Sequence, residues 1–254
     1  MKTIIRKILR LCLNNIFINN IAIVFYFENI LKQSSSQWKK FRIDRSLTLQ
    51  ENVGFSHRRD VEEALKRTHR DLVETASKYL PENAIILDIG CGTGLYLSEF
   101  RNSRYKLHGI DISSQMIDAA KSHLQGVYFY VGDFLKYEFG TKFNLIYSVS
   151  VLEYIARTDI NRYLRKLYDL LDKNGIIFIH YPHAISFIDT LYPNLNYIKY
   201  SPAVVENYAS RYFDILSHKH GYDDRIVKKY DKTPYQSVNG TFKNGYLLIA
   251  RRKV

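Results

Sequence analysis

The stretch ILDIGCGTG at residues 86–94 decides the fold, because an apolar run ends there in three glycines at alternate positions, Gly90, Gly92 and Gly94. Glycine inside a strand or helix is less favourable than alanine by roughly 0.5–1 kcal/mol, so such a cluster indicates a backbone with positive φ or a close approach to a ligand. We interpret the stretch as a buried strand that ends in a ligand-binding loop.

Strand-like and helix-like segments alternate around this loop, which predicts βαβ units and a parallel sheet with helices on both faces. The predicted helices cover residues 57–80, 95–101, 113–123, 159–173 and 201–212, and the predicted strands cover residues 84–90, 105–111, 127–133, 142–150, 175–182, 212–219 and 244–253. We therefore expect an α/β fold with a Rossmann-like, doubly wound sheet that is mostly parallel, an antiparallel C-terminal strand and an N-terminal helical extension.

The composition indicates a globular protein that buries one substantial core. The chain has 254 residues, of which 46% are hydrophobic, and its two cysteines lie far apart, which gives no support to a disulfide framework or a metal cluster. A cytoplasmic location fits this cysteine use. The net charge of +12 lies in the flanks, with +7 in residues 1–50, zero in residues 51–180 and +5 in residues 181–254. A solvated flank explains this better than a nucleic-acid surface.

Residues 1–50 form a basic, amphipathic N-terminal extension, and residues 51–254 form the second predicted unit. Asparagines and Glu28 interrupt the apolar run of residues 11–31, which disfavours a helix that spans a membrane. Two interpretations of residues 1–31 stay open: a helix packed on the domain, or a helix at the membrane surface that makes peripheral contact with anionic lipid.

Acidic residues stand at the ends of the predicted strands, where ligands of parallel sheets bind. The loop is not the G-x-G-x-x-G dinucleotide motif, because position 95 is leucine, and it suits a ligand with a carboxylate. We expect Asp88 to meet an ammonium group and Asp111 to accept from both hydroxyls of a ribose. Asp133 and Phe134 are placed to meet the amino group and ring face of an adenine. Together these groups describe S-adenosylmethionine.

The chain resembles the class I S-adenosylmethionine-dependent methyltransferases over residues 60–182. ILDIGCGTG (86–94), HGIDISSQMIDAAK (108–121) and VGD (131–133) resemble the first three cofactor motifs of the family, and KFNLIYSVSVLEYI (142–155) is similar to its fourth-strand region. The resemblance implies S-adenosylmethionine as the cofactor. The cofactor-binding residues that we expect are Asp88, Gly90, Cys91, Gly92, Gly94, Asp111, Ile112, Met116, Asp133, Phe134, Ser148 and Val149.

Three residues are candidates for catalysis. His180 and His183, at the exit of the fifth strand, can accept a proton near neutral pH, with Tyr181 and Glu153 as secondary candidates. Tyr154 stands where many small-molecule members of the family carry a histidine. Methyl transfer by proximity alone, without a base, stays open because the methyl group of a sulfonium is already activated.

The acceptor class follows in part by exclusion. SVSVLEY lacks the Asp/Asn-Pro-Pro-aromatic motif of the enzymes in this superfamily that methylate amines of nucleic-acid bases. Methylation of cytosine at C5 needs a nucleophilic cysteine after a proline, and neither cysteine of this chain follows a proline. We therefore expect a small-molecule, sugar or lipid-like acceptor that is methylated on oxygen or nitrogen, and a nucleic-acid partner is disfavoured. Two alternatives stay open: a membrane-associated methyltransferase for a lipid or quinone precursor, and a module that binds S-adenosylmethionine without catalysis.

Overall fold

The computed structural model describes residues 59–182, 200–220 and 245–254. The predictions for the N-terminal extension (1–50), for membrane contact through residues 1–31 and for His183 lie outside the described residues. Within the described ranges, the model contains no helix with the length and apolar character that crossing a membrane requires.

A seven-stranded sheet forms the centre of the molecule, with the strand order β3-β2-β1-β4-β5-β7-β6. The first five strands of the chain pair in parallel with their neighbours in the sheet, and β7 pairs antiparallel with both β5 and β6. The strands are β1 (Ile85–Ile89), β2 (Lys106–Asp111), β3 (Val127–Val131), β4 (Phe143–Val149), β5 (Leu171–Pro182), β6 (Phe213–His220) and β7 (Gly245–Arg252). This confirms the predicted sheet, including the antiparallel C-terminal strand.

Four α-helices accompany the sheet in the described ranges: α1 (Arg59–Tyr79), α2 (Ser114–His123), α3 (Ile160–Leu170) and α4 (Pro202–Ala209). Neighbouring residues of a strand point to opposite faces, so β1 sends Ile86 to one core cluster and Leu87 to the other. α1 and α2 pack in the cluster of Ile86, and α3 and α4 pack in that of Leu87. The central strands β1 and β4 are buried on both faces, and most of their residues are apolar.

The strand order places the topological switch point between β1 and β4. From β1 the chain moves outward through β2 to β3, and it then returns to the other side of β1 to form β4. In open α/β sheets ligands bind at this point, outside the carboxyl ends of the strands. The segments that leave β1 and β4 there are the glycine loop, residues 90–94, and residues 150–154.

The helix predicted over residues 95–101 is wrong, because turns and a short 3₁₀ helix, Leu97–Phe100, occupy this region. The Ser98 hydroxyl donates to the Leu95 carbonyl at 2.6 Å, which competes with helical hydrogen bonding. Leu97 and Phe100 are both buried, and their spacing of three residues matches a 3₁₀ turn. The loop therefore does not lead into a regular α-helix. The helix predicted to reach residue 173 also ends early, at Leu170, where β5 follows directly.

Candidate functional site

The three glycines of the loop adopt the left-handed backbone conformation that the sequence predicted. Their φ angles are 69° at Gly90, 52° at Gly92 and 80° at Gly94. A Cβ on Gly90 would lie 2.4 Å from Cγ2 of Val151, and one on Gly94 would lie 2.5 Å from Cδ1 of Leu124. The protein's own packing therefore requires glycine at positions 90 and 94.

Backbone hydrogen bonds tie the loop to the end of β2. The amides of Gly90 and Cys91 both donate to the carbonyl of Ile110, at 2.8 and 3.1 Å. The amide of Gly92 donates to Oδ2 of Asp111 at 2.9 Å. The N–H groups of Gly90, Cys91 and Gly92 thus donate to protein acceptors. The consequence is a loop whose shape is fixed by β2.

Asp88 and Asp111 place two carboxyl groups beside the loop. Asp88 is 2% exposed and lies opposite Tyr147 of β4. Burial raises the pKa of Asp88 well above its ordinary value, a hydrogen bond from the Tyr147 side chain opposes the rise, and the charge of Asp111 adds to it. Burial also raises the pKa of Asp111, although the amides of Ser113 and Gly92 oppose the rise. Such a site favours a ligand that brings positive charge or hydrogen-bond donors.

This donor set fits S-adenosylmethionine better than a nucleotide phosphate. S-adenosylmethionine carries a sulfonium, an ammonium group and a ribose diol, which can donate to or neutralise buried carboxyl groups. A phosphate is anionic and would meet the two acids unfavourably. The observation that supports the fit is that the carboxyl groups of Asp88 and Asp111 are desolvated beside the loop, and that no basic side chain pairs with either of them within the described ranges.

The residues expected near the adenine lie at the ends of β2 and β3. Ile112 is partly buried, and Met116 is buried on α2, which Ser113 caps by accepting from the Met116 amide. Asp133 accepts from the amide of Leu135 at 3.0 Å. The ring of Phe134 is 7% exposed and packs edge-on against Tyr163. The aromatic face of Phe134 is thus used inside the core.

The exit of β4 holds a group of buried polar side chains. The Ser148 hydroxyl and the Tyr163 phenol are 2.9 Å apart, and Val149 beside them is partly buried. Ser150 has a φ of 57°, unusual for a residue other than glycine, and its amide donates to the carbonyl of His180 at 2.9 Å. Glu153 follows on the short turn Leu152–Tyr154 and is 1% exposed.

The candidate catalytic residues occupy different environments. His180 lies inside β5, opposite Val149 of β4 and Leu247 of β7, and is 3% exposed. Burial lowers its pKa to about 4, so its imidazole is neutral at pH 7 and is a weak base. Tyr154 is partly buried on the turn after β4. The structure therefore brings Tyr154 to the switch point and keeps His180 within the sheet.

Sequence reasoning missed Val151, whose side chain fills the space beside Gly90, and Ser150 with its positive φ. It also assigned Cys91 to the cofactor, whereas the side chain of Cys91 lies in the core against Gly109, where a Cβ would be 2.9 Å from Sγ. Burial raises the pKa of the Cys91 thiol well above its ordinary value, which makes this side chain unreactive. The backbone of Cys91 is also hydrogen-bonded, because its amide donates to Ile110 and its carbonyl accepts from the Gly94 amide. The cofactor contact of Cys91 stays a prediction.

Comparison with known families gives a match to the methyltransferase domain over residues 57–225. Among curated proteins, the chain is 29% identical over 111 residues to a dTDP-4-amino-2,3,4,6-tetradeoxy-D-glucose N,N-dimethyltransferase of Saccharopolyspora spinosa, covering 43% of this chain and 45% of that protein. It is 35% identical over 125 residues to a malonyl-[acyl-carrier protein] O-methyltransferase of Ilyobacter polytropus, covering 44% and 45%. The chain thus spans less than half the length of either relative.

Among solved structures, the fold is similar to N-methyltransferase NodS from Bradyrhizobium japonicum in complex with S-adenosyl-L-homocysteine. The TM-score is 0.64 at 13% identity, and the alignment covers 87% of this chain and 99% of the other. This likeness shows the fold, and the domain match covers most of the chain. The chain therefore belongs to the class I S-adenosylmethionine-dependent methyltransferases, as its first three motifs indicated.

Proposed function

We propose that this protein transfers a methyl group from S-adenosylmethionine to a small-molecule acceptor that carries an amine or a hydroxyl group. The observation that carries the proposal is the hydrogen bond between the Gly92 amide and Asp111 at the switch point. It fixes a glycine loop and a strand-end carboxylate against each other, next to the buried Asp88. Relatives named as an N,N-dimethyltransferase and an O-methyltransferase support both acceptor types.

In this proposal the chain's own residues bind and orient. Asp111 holds the ribose, Asp88 meets the ammonium group, and the segments after β2 and β3 enclose the adenine. When bound, S-adenosylmethionine supplies an electrophilic methyl group. Because that group needs little further activation, the main task of the protein is to hold the acceptor in line with it and to exclude water.

Binding and transfer are tested separately. Calorimetry with S-adenosylmethionine measures binding, and a panel of small amines and alcohols with mass detection of products measures transfer. Gly92→Val should abolish binding, because a β-branched side chain disfavours a φ of 52° and occupies space in the loop. Gly140→Val is the matched control, since a Cβ there meets no atom within 4 Å.

The outcomes separate the alternatives. Binding with no product from any acceptor would favour a module without catalysis. Normal binding by Gly92→Val would mean that the loop is only a turn, and would contradict the proposal. A membrane-associated enzyme for a lipid or quinone precursor would co-sediment with anionic vesicles and would methylate only vesicle-bound acceptors.

A further inference from the structure

Glu153 is a buried carboxyl group for which the proposed function has no role so far. It is 1% exposed, and the hydrogen-bonding groups beside its carboxyl group are the Ser150 hydroxyl and the backbone of Glu153 itself. A buried carboxyl group without a basic partner is unfavourable in its charged form, so its retention calls for an explanation in terms of a ligand or a proton.

The turn that carries Glu153 lies between the cofactor loop and β5. Val151, two residues before Glu153, lies against Gly90, where a Cβ would be 2.4 Å from its Cγ2. The Ser150 amide donates to the His180 carbonyl of β5 at 2.9 Å. The turn that carries Glu153 is thus held at the switch point, where ligands of open α/β sheets bind.

The surroundings of Glu153 supply no positive charge. The Tyr163 phenol on α3 is close enough for the charge of Glu153 to raise its pKa, and Ser150 on the β4 side brings a hydroxyl. On β5, the carbonyl of His180 accepts from the Ser150 amide, and burial keeps the His180 imidazole neutral at pH 7. Within the described ranges, then, no basic side chain forms an ion pair with Glu153. Glu153 is therefore mainly protonated in the free protein at pH 7, and a positive charge that ionises it would have to come with a ligand.

We propose that Glu153 is the general base of the reaction and takes the proton of an ammonium group on the acceptor, so that amines are the acceptor class. This inference rests on the proposed methyl transfer. The positive charge of the bound ammonium group favours the carboxylate, and the carboxyl proton of Glu153 leaves to solvent. The N–H bond of the ammonium group then breaks and its proton moves to the carboxylate. The freed nitrogen lone pair would bond to the methyl group that S-adenosylmethionine would supply, while the bond from that methyl group to sulfur would break and leave its electron pair on sulfur, with S-adenosylhomocysteine as the leaving group.

Proton affinities favour an amine over an alcohol at this position. Burial raises the pKa of Glu153 to about 8, whereas alkyl ammonium groups have pKa values of roughly 8–10. Donor and acceptor therefore match within about two pH units, which suits general base catalysis. An alcohol has a pKa close to the value of about 16 for water, far above that of Glu153. His180, with a pKa of about 4, matches neither acceptor.

The test uses the full chain and matched probes: ethanolamine against ethylene glycol, and glucosamine against glucose. Glu153→Gln should bind S-adenosylmethionine within about threefold of wild type, and should lose about 10²–10⁴ in kcat/KM for the amine that wild type methylates at pH 7. The loss should shrink above the pKa of that amine, because the acceptor then arrives neutral. Glu138→Gln, which changes an exposed carboxylate, is the control.

A second readout needs no turnover. Wild type saturated with S-adenosylhomocysteine should release about one proton when ethanolamine or glucosamine binds at pH 7, measured by calorimetry in buffers of different ionisation enthalpy, and Glu153→Gln should release none. Three outcomes would overturn the inference and leave the proposed methyl transfer intact. Wild type releases no proton, the loss of kcat/KM in Glu153→Gln is equal at every pH, or only the alcohols give products. Failure of wild type to bind S-adenosylmethionine would instead overturn the proposed function.

Discussion

The amide nitrogen of Gly92 lies 2.9 Å from Oδ2 of Asp111, and this hydrogen bond joins the loop after β1 to the last residue of β2. The other oxygen of the same carboxylate accepts from the Ser113 amide at 2.8 Å. Asp111 therefore has a structural task in addition to the ribose contact that we propose. Substitutions at this residue should affect both folding and cofactor binding.

Asp111→Ala should weaken S-adenosylmethionine binding roughly ten- to a hundredfold, because a hydrogen bond to a charged group contributes about 1.5–3 kcal/mol. It should also lower the free energy of unfolding by about 1–3 kcal/mol, since two backbone N–H groups lose their acceptor. Calorimetry and urea denaturation measure the two effects, and Asp118→Ala on the exposed side of α2 is the control. Unchanged affinity in a folded Asp111→Ala protein would reject the ribose role.

Gly90→Ala should destabilise the protein through two separable effects. The positive φ costs alanine about 1–2 kcal/mol, and the new Cβ collides with Val151. Adding Val151→Ala removes Cγ2 and should recover the steric part only, so the two substitutions should be strongly non-additive in urea denaturation. Simple additivity would show that Val151 does not pack against Gly90.

Glu153 should make the protein less stable as the pH rises. Its pKa is raised from 4.5 to about 8 on folding, so the stabilisation by the protonated form is complete below pH 4.5 and is lost between pH 4.5 and 8. Relative to Glu153→Gln, the free energy of unfolding of wild type should fall by about 1.4 kcal/mol per pH unit in this window. Parallel pH profiles of the two proteins would show that Glu153 is not protonated when buried; Glu138→Gln should follow wild type.

His180 should make the protein less stable as the pH falls. Because its pKa is lowered from 6.5 to about 4, its contribution to stability is complete above pH 6.5 and is lost as the pH falls toward 4. In urea denaturation, the free energy of unfolding of His180→Gln should not show this fall at low pH. His123→Gln, which changes a residue on the exposed end of α2, should show the same fall as wild type. The pH dependence of the methyl-transfer rate near pH 6.5 should be the same in wild type and in His180→Gln. A rise in rate near pH 6.5 that is present in wild type and lost in His180→Gln would show that His180 acts as a base.

The sequence was sufficient for the sheet and for the family, because strands buried on both faces leave apolar runs and the glycines that exit β1 are required by backbone geometry. It was not sufficient for details that depend on contacts between distant segments. Val151 lies 61 positions after Gly90 in the printed sequence, and no local pattern connects them. The helix predicted over residues 95–101 failed because its apolar positions also fit a 3₁₀ spacing.

In the candidate site, too, local sequence pattern predicts some features, and contacts between distant segments decide the others. The positions of Asp88 and Asp111 at strand ends follow from local pattern, but their hydrogen-bond partners do not. The cofactor contacts of Phe134 and Cys91 stay predictions. Tertiary packing directs both side chains toward the core, which their place in the motifs does not indicate. The burial of Glu153 without a counter-ion has no signature in the sequence, since an acidic residue after a strand is usually solvated.

The position of β7 between β5 and β6 has a consequence for synthesis of the protein on the ribosome. Among the strands that the structure describes, β6 pairs only with β7, yet β7 is the later of the two in the chain. Until residues 245–252 have emerged, β6 has no partner strand and one edge of β5 is unpaired, which is the kind of edge that promotes association between chains. A nascent chain should therefore depend on chaperones longest at this edge, and resistance to protease should appear only when β7 is inserted.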